Sequence, residues 1–287
     1  MGRAKLTKNS IIVFAATFVS SMATFIFQIM MGRAMTLDNF GQLSALFSIQ
    51  MIISIVVGAL ILLYTRHTAR FWTLDEKGKT RSLYSNAWKT CGAIGAACAI
   101  VLSVTSVFWS AKMNITSFAS VVAISVLIAA YFLQSVPLAF VRGLQKFHLL
   151  GAGLGTAGIL KLLLGVLIIY AGVTVPGAIF AVIVAVLLSI VVMHATLWPW
   201  IKKSEPAETG LRGKEMFSYA FTAMAGTFLP TFFINADMIL IRSLFPSELS
   251  GYYAVFMVIG KVIFLCGSVV TVALFPAAVS EDAGGGK

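Results

Sequence analysis

The layout of residues 32–50, GRAMTLDNFGQLSALFSIQ, recurs in residues 237–261, DMILIRSLFPSELSGYYAVFMVIGK. In both stretches an acidic residue lies three positions before a glycine, and the same shift aligns Gly41 with Gly251. The shift also matches the flanking charges, which are Asp38 with Glu248 and, within one position, Arg33 with Arg242. We interpret the two stretches as copies of one unit, in which two apolar segments are joined by a short polar turn.

The composition is that of an integral membrane protein. Hydrophobic residues make up 59% of the chain and charged residues only 11%, roughly half the charged share of a soluble domain. Apolar runs of about 20 residues, long enough to cross the bilayer as helix, recur along the sequence. We therefore predict an all-α polytopic membrane protein with about eight transmembrane helices. The predicted spans are residues 10–31, 42–64, 88–109, 117–141, 151–172, 175–197, 216–242 and 252–276.

The distribution of basic residues predicts the orientation. Most of the 21 lysines and arginines lie at the N-terminus and in the loops after the second, fourth and sixth spans. Because cytoplasmic loops are enriched in Lys and Arg, both termini are predicted to be cytoplasmic. The net charge of +11 then indicates membrane lipids as a partner and no nucleic acid. For the most basic loop, residues 65–89, an amphipathic surface helix and a solvated loop both remain open.

The repeat predicts a domain organisation. Transporters are commonly built from repeated bundles of spans. If the unit has six spans, residues 1–211 form an N-terminal six-helix transmembrane lobe, and residues 212–287 supply the first two helices of an incomplete second lobe. We expect such a chain to be C-terminally truncated and to work through self-association or with a partner that carries the second lobe. An eight-span protein complete in itself is the alternative.

Three segments carry a resemblance to a known family. GRAMTLDNFGQLSALFSI resembles the first hairpin of that family, VRGLQKFHLLG (residues 141–151) resembles its connection between spans four and five, and ADMILIRSLFPSELSGYYAVFMVIGKVI followed by LFPAAVSE resembles its seventh and eighth spans. The family is the polysaccharide biosynthesis, or oligosaccharide flippase, family, whose superfamily also contains the MATE drug exporters. The similarity extends from about Ser10 to Asp282.

The resemblance implies a fold and an activity. Members have twelve to fourteen spans in two lobes around a central cavity, so the chain is expected to form one MATE-like lobe and part of a second. It would move a lipid-linked oligosaccharide, an O-antigen, capsule or teichoic-acid precursor on a polyprenyl diphosphate, across the cell membrane by alternating access. The expected location is the bacterial inner membrane.

Two lysines lie deep inside predicted spans. Lys161 is near the middle of span five and Lys261 is somewhat short of the middle of span eight. A charge at that depth costs on the order of 3 kcal/mol and marks a functional site by default. Snorkelling is the alternative, but a mid-bilayer lysine would have to cross about 10 to 15 Å of hydrocarbon. We predict that these lysines face a water-filled cavity.

The neighbours of Lys161 share its helical face. At about 100° per residue, one face of span five carries Gly151, Gly155, Gly158, Lys161 and Gly165. Such a face either packs closely on another helix or lines a crevice. One face of span one similarly carries Thr17, Ser21, Thr24 and Gln28, which either line the cavity or serve as polar contacts between helices.

Asp237 is the single carboxylate in the eight spans. It is either a proton or sodium coupling site or the partner of Arg242. Basic residues facing one carboxylate indicate an electropositive chamber suited to a diphosphate. The candidate cavity residues are Lys161, Lys261, Asp237, Arg242, Gln28 and Thr24.

The same residues bear on other function classes. A MATE-type exporter of organic cations would have to rely on Asp237, because spans one to six contain no Asp or Glu. An inactive or partner-dependent remnant is a third possibility. We predict no enzyme activity, no cofactor and no metal, since the sequence has no paired carboxylates, nucleophile elbow, phosphate loop or metal-ligand spacing.

Overall fold

The computed structural model describes residues 3–115, 117–202, 205–210 and 213–261, without the side chains of residues 3–14, 16, 213–215 and 217. Over these residues the protein is all-helical. The helices are α1 Arg3–Ala34, α2 Leu37–Thr73, α3 Lys77–Lys112, α4 Phe118–Gly143, α5 Phe147–Ala171, α6 Val175–Ile201 and α7 Gly213–Leu244. Residues 247–261 form an eighth helix, α8, up to the last described residue.

The helices confirm the predicted multi-pass architecture. Helices α2 to α6, and the Ser218–Leu244 part of α7, are long and apolar enough to cross a membrane. Each of the first seven predicted spans falls on a single helix, and none extends beyond that helix by more than one residue. The eighth prediction falls on α8 as far as residue 261, and residues 262–276 lie outside the described part of the chain.

The basic segment 65–89 differs from both expectations. It is neither a surface helix nor a loop, because α2 continues to Thr73 and α3 begins at Lys77. The chain reverses within three residues, where Asp75 adopts a left-handed φ of 57°. Polar helix formers thus extend α2 and α3 past their apolar runs into a tight hairpin.

A similarly short connection joins α1 to α2. Thr36 caps α2, and its hydroxyl accepts a hydrogen bond from the backbone N–H of Asn39 at 3.4 Å. Asp38 therefore lies in the first turn of α2. This geometry places the first copy of the repeated turn directly beside the end of α1.

Helix α4 lies in the middle of the bundle. It packs against α2, α3 and α6, while α5 packs against α1 and α6. Large side chains such as Phe132 and Phe140 on α4 are completely buried. The second copy of the repeated unit contacts this bundle through α7, which packs against α2. The two helices run antiparallel, with Arg242 near Asp38 at one end and the Arg66 guanidinium 4.6 Å from the Tyr219 ring centre towards the other.

Candidate functional site

The glycine face of α5 packs against α1 on both sides of Lys161. A Cβ added to Gly158 would lie 3.1 Å from Ala23 Cβ, and one added to Gly165 would lie 3.0 Å from the Phe27 ring. Small residues allow helix backbones to approach this closely in a membrane. At these two glycines, helix packing is therefore the correct interpretation.

Lys161 lies between those contacts and reaches across to α1. Its Nζ donates to Thr24 Oγ1 at 3.0 Å, and the Thr24 hydroxyl donates to the Ser20 carbonyl at 3.0 Å. One of three ammonium donors is thus engaged. The lysine therefore lies within the packed seam, between Gly158 and Gly165.

The predicted polar face of α1 is partly brought into this site. Thr24 contacts Lys161 directly, and Gln28, one turn further along α1, is partly buried. Thr17, at the other end of the face, is exposed. The structure thus joins two of the predicted site residues, Lys161 and Thr24, through a hydrogen bond.

Asp237 is tied to α8. Its Oδ1 accepts a hydrogen bond from the Met238 N–H at 2.7 Å, and its Oδ2 accepts one from the Tyr253 hydroxyl. The alternative in which Asp237 pairs with Arg242 is wrong. Five residues correspond to about 140° around a helix, so the two side chains leave α7 in different directions.

Lys261 is the last described residue and is partly buried. Within the described ranges no direct ion pair joins it to Asp237. These residues form a second polar group, on α7 and α8, separate from the Lys161–Thr24 contact on α5 and α1.

Arg242 is completely buried, with 0% of its surface exposed. Its Nε donates to the Met113 carbonyl at 2.8 Å, and its Nη2 donates to the Asn114 carbonyl at 3.2 Å. Its Nη1 donates to Ser250 Oγ at 2.9 Å and lies 2.7 Å from Asp38 Oδ1, an ion pair without hydrogen-bond alignment. We call these residues the Arg242 cluster.

The Arg242 cluster connects elements instead of lining a cavity. It joins the end of α7 to the start of α2, the α3–α4 connection and the start of α8. Because protein acceptors surround the guanidinium, it has little capacity left for a substrate. Arg242 was expected among the cavity residues, and its observed contacts instead hold the two repeat copies together.

The two matched glycines of the repeat meet beside this cluster. A Cβ on Gly41 would lie 2.9 Å from the backbone nitrogen of Gly251, and a Cβ on Gly251 would overlap the Leu37 carbonyl. Repeats related by an axis along the membrane normal bring equivalent residues together near that axis. The close contact therefore lies where such an axis would pass.

Asp38 and Tyr253 were not predicted as site residues, and neither was Ser250. A signal for Tyr253 was present, because Asp237 and Tyr253 are about equally far from the α7–α8 turn and two antiparallel helices would bring them together. No comparable local signal identified Asp38 as the partner of Arg242.

No protein-family profile and no curated protein matches the sequence. A multidrug resistance MATE family transporter of the MOP superfamily, in its inward-facing conformation, matches with a TM-score of 0.68 and 14% identity over 89% of this chain and 61% of that one. An outward-facing conformation of such a transporter gives 0.67 and 13%, over 88% and 63%.

A third match is a MOP superfamily transporter from Pyrococcus furiosus, for which a reversed polarity of the binding pocket is said to suggest a different function. Its TM-score is 0.64 at 14% identity, over 94% of this chain and 71% of that one. The chain thus has the fold of the MATE-like transporters. It spans 61% and 63% of the two multidrug transporter chains given above.

Proposed function

We propose that this chain forms part of a membrane transporter that moves a lipid-linked oligosaccharide, carried on a polyprenyl diphosphate, across the cell membrane. The observation that carries the proposal is Lys161, whose ammonium group lies in an apolar seam with Thr24 as its partner. An ionisable group at this depth is expensive and therefore marks a substrate or ion path. A diphosphate would be a negatively charged partner for Lys161, whose observed partner is the Thr24 hydroxyl.

The charge balance of the helices supports an anionic cargo. The first six predicted spans contain no Asp or Glu, so a cation crossing beside them would meet Lys161 without a compensating carboxylate. An anion would be attracted by the same field. The reversed pocket polarity reported for the transporter from Pyrococcus furiosus indicates that this fold accommodates pockets of either sign.

A second candidate function is export of organic cations, as in the MATE multidrug transporters. The specific observation in its favour is Asp237, whose carboxylate lies in α7 beside Tyr253. The fold supports this alternative equally well. It predicts drug resistance that is lost in Asp237→Asn, whereas oligosaccharide export would depend on Lys161.

Alternating access gives the Arg242 cluster a role in the proposed cycle. The cluster holds the two repeat copies together at the end of the bundle that is predicted to face outwards. Release of cargo on that side would require these contacts to separate. Since the chain spans only part of the length of the matched transporters, transport is proposed for an assembly in which self-association or a partner completes the second lobe.

The experiment is a measurement of outward-facing lipid-linked oligosaccharide in spheroplasts of the native cells, with the chromosomal copy deleted and variants supplied. We expect Lys161→Glu to lower the signal by about tenfold or more, because it reverses the charge beside the cargo. Lys112→Glu makes the same change at an exposed lysine at the end of α3 and should leave export intact. Full export in Lys161→Glu at normal protein level would contradict the proposal.

A further inference from the structure

A cavity of about 980 Å³ lies away from the α1–α5 seam, between the beginning of α3 and the end of α6. It is at the end of the bundle predicted to face the cytoplasm. Residues 206–210, in the connection between α6 and α7, form its outer wall. Its lining includes Arg81, Ser85 and Lys89 from α3, His194 and Trp198 from α6, and Glu208 from the connection.

Aromatic side chains make up one wall of this cavity. The Tyr84 hydroxyl and His194 Nδ1 are hydrogen-bonded at 2.8 Å. The His194 ring stacks between Tyr84 and Trp198, with ring centres 5.8 and 5.6 Å away, and Trp88 meets it edge-on. Aromatic rings with a polar edge are typical of the bilayer interface. The wall is therefore suited to a ligand that enters from the lipid–water boundary.

The cover of the cavity is attached to α3. The Ala207 N–H donates to the Gly78 carbonyl at 3.3 Å, and a Cβ on Gly78 would lie 2.6 Å from the Glu205 carbonyl oxygen. The Arg81 Nη1 donates to the Lys202 carbonyl at 3.4 Å. These contacts hold the described part of the connection, residues 205–210, against the start of α3.

The charges of the cavity favour an anionic group. Arg81 and Lys89 are eight residues apart on α3, which places them on neighbouring sides of the helix with Ser85 between them. Glu208 is the single carboxylate in the lining, and it is exposed on the connection. Basic pockets between transmembrane helices on the cytoplasmic side bind anionic lipid headgroups.

Beyond the cavity, α3 presents apolar side chains to its surroundings. Ile100, about 17 Å along the helix from Lys89, is 62% exposed, and the smaller Ala93, Ala96 and Ala97 before it are also exposed. Acyl chains could lie along this surface while the headgroup occupies the cavity, as in an ordinary bilayer. A free anion would use the cavity but gain nothing from this apolar surface, which favours a lipid as the source of the phosphate.

We propose that the cavity between α3, α6 and residues 205–210 binds the phosphate headgroup of an anionic phospholipid of the cytoplasmic leaflet. Arg81 and Lys89 supply the positive charge, and the Tyr84–His194–Trp198 wall contacts the glycerol region. The bound lipid connects α3, α6 and the covering segment. This site is independent of the cargo that the transporter moves.

The first test is native mass spectrometry of the purified full chain in a detergent that contains equal amounts of phosphatidylglycerol and phosphatidylcholine. We expect retention of phosphatidylglycerol in preference to phosphatidylcholine, and about a tenfold loss of that preference in Arg81→Gln/Lys89→Gln. Lys89→Gln alone, at an exposed position, should lose part of it. Lys112→Gln at the opposite end of α3 is the matched control and should keep it.

A second measurement separates a lipid from a free anion. Amide hydrogen exchange of residues 205–210 should slow when phosphatidylglycerol is added, and should be unchanged by inorganic phosphate alone. An equal preference for phosphatidylglycerol in wild type and the double variant would overturn the proposal. So would an equal loss in Lys112→Gln, or protection of residues 205–210 by inorganic phosphate to the same extent as by the lipid.

Discussion

At the scale of single residues, Lys161 is expected to contribute to export and not to the stability of the protein. Its ammonium group has Thr24 as its partner in an otherwise apolar seam, and a lysine at that depth costs on the order of 3 kcal/mol. We therefore expect Lys161→Met to raise the melting temperature in detergent or leave it unchanged, while export falls by about tenfold or more. Thermal unfolding and the spheroplast export measurement check both parts.

Lys112→Met is the control for Lys161→Met, because it replaces an exposed lysine at the end of α3, away from the seam, with the same residue. Export and melting temperature should stay close to wild type in this variant. A Lys161→Met protein that unfolds at lower temperature would indicate that the lysine stabilises the α1–α5 contact. In that case the loss of export would say nothing about the cargo.

Asp237 and Tyr253 should behave as an energetic pair. The hydrogen bond from the tyrosine hydroxyl to the carboxylate predicts that Tyr253→Phe and Asp237→Asn each destabilise the protein by about 1 to 2 kcal/mol. Because both changes remove the same bond, the double variant should cost less than the sum. A double-mutant cycle from reversible unfolding measures this coupling.

The neighbouring Tyr252 provides the control for that cycle. It is 54% exposed, so Tyr252→Phe should be close to neutral and should show no coupling to Asp237→Asn. Additive effects of Tyr253→Phe and Asp237→Asn would mean that the observed contact contributes nothing measurable.

At the scale of helices, the close approach of the two repeat copies depends on Gly251. A Cβ there would overlap the Leu37 carbonyl, so Gly251→Ala must move α8 away from α2. We expect a loss of about 2 kcal/mol or more, as for other overpacked contacts. Gly260→Ala, on the same helix and with no described atom within 4 Å, should be neutral or stabilising because alanine is the better helix former. Thermal unfolding measures the stability of both variants. Equal stability of Gly251→Ala and Gly260→Ala would contradict the observed packing.

The contacts of the Arg242 cluster predict that substitution of Arg242 lowers the stability of the protein more than substitution of its carboxylate partner, Asp38. Arg242→Met leaves the Met113 and Asn114 carbonyls without their donors, which should cost about 3 kcal/mol. Asp38→Asn should cost less than Arg242→Met, because the amide oxygen can still face the guanidinium and the Asp38 side chain is 49% exposed. Chemical denaturation in detergent compares the two variants.

Arg33→Met is the matched control for Arg242→Met, since Arg33 is the repeat counterpart of Arg242 and is exposed at the end of α1. It should unfold like wild type. If Arg33→Met and Arg242→Met were equally destabilised, burial of Arg242 would not be the cause.

At the scale of the whole molecule, most helices were predictable because an apolar run of bilayer length leaves few alternatives. The ends of α2 and α3 were not, because polar residues such as Lys79 and Arg81 continue a helix as readily as they form a loop. The repeat predicted that the two turns are equivalent. It did not predict that they contact each other at Gly41 and Gly251.

The site was predicted only as separate residues. Depth along each span was enough to single out Lys161, Lys261 and Asp237, and helical spacing placed Thr24 on a polar face. Which faces meet depends on helix neighbours that are distant in sequence: 137 residues separate Lys161 from Thr24, and 204 separate Arg242 from Asp38. Periodicity within one helix contains no information about such neighbours.

The seam around Lys161 is proposed to attract an anionic, lipid-linked cargo. The most direct measurement is equilibrium binding of a radiolabelled polyprenyl-diphosphate oligosaccharide to the purified chain, compared with an organic cation, in wild type and Lys161→Met. We predict saturable binding of the diphosphate that weakens about tenfold in Lys161→Met, and no saturable binding of the cation. Binding of the cation that is lost in Asp237→Asn, with the diphosphate bound equally by wild type and Lys161→Met, would contradict the claim.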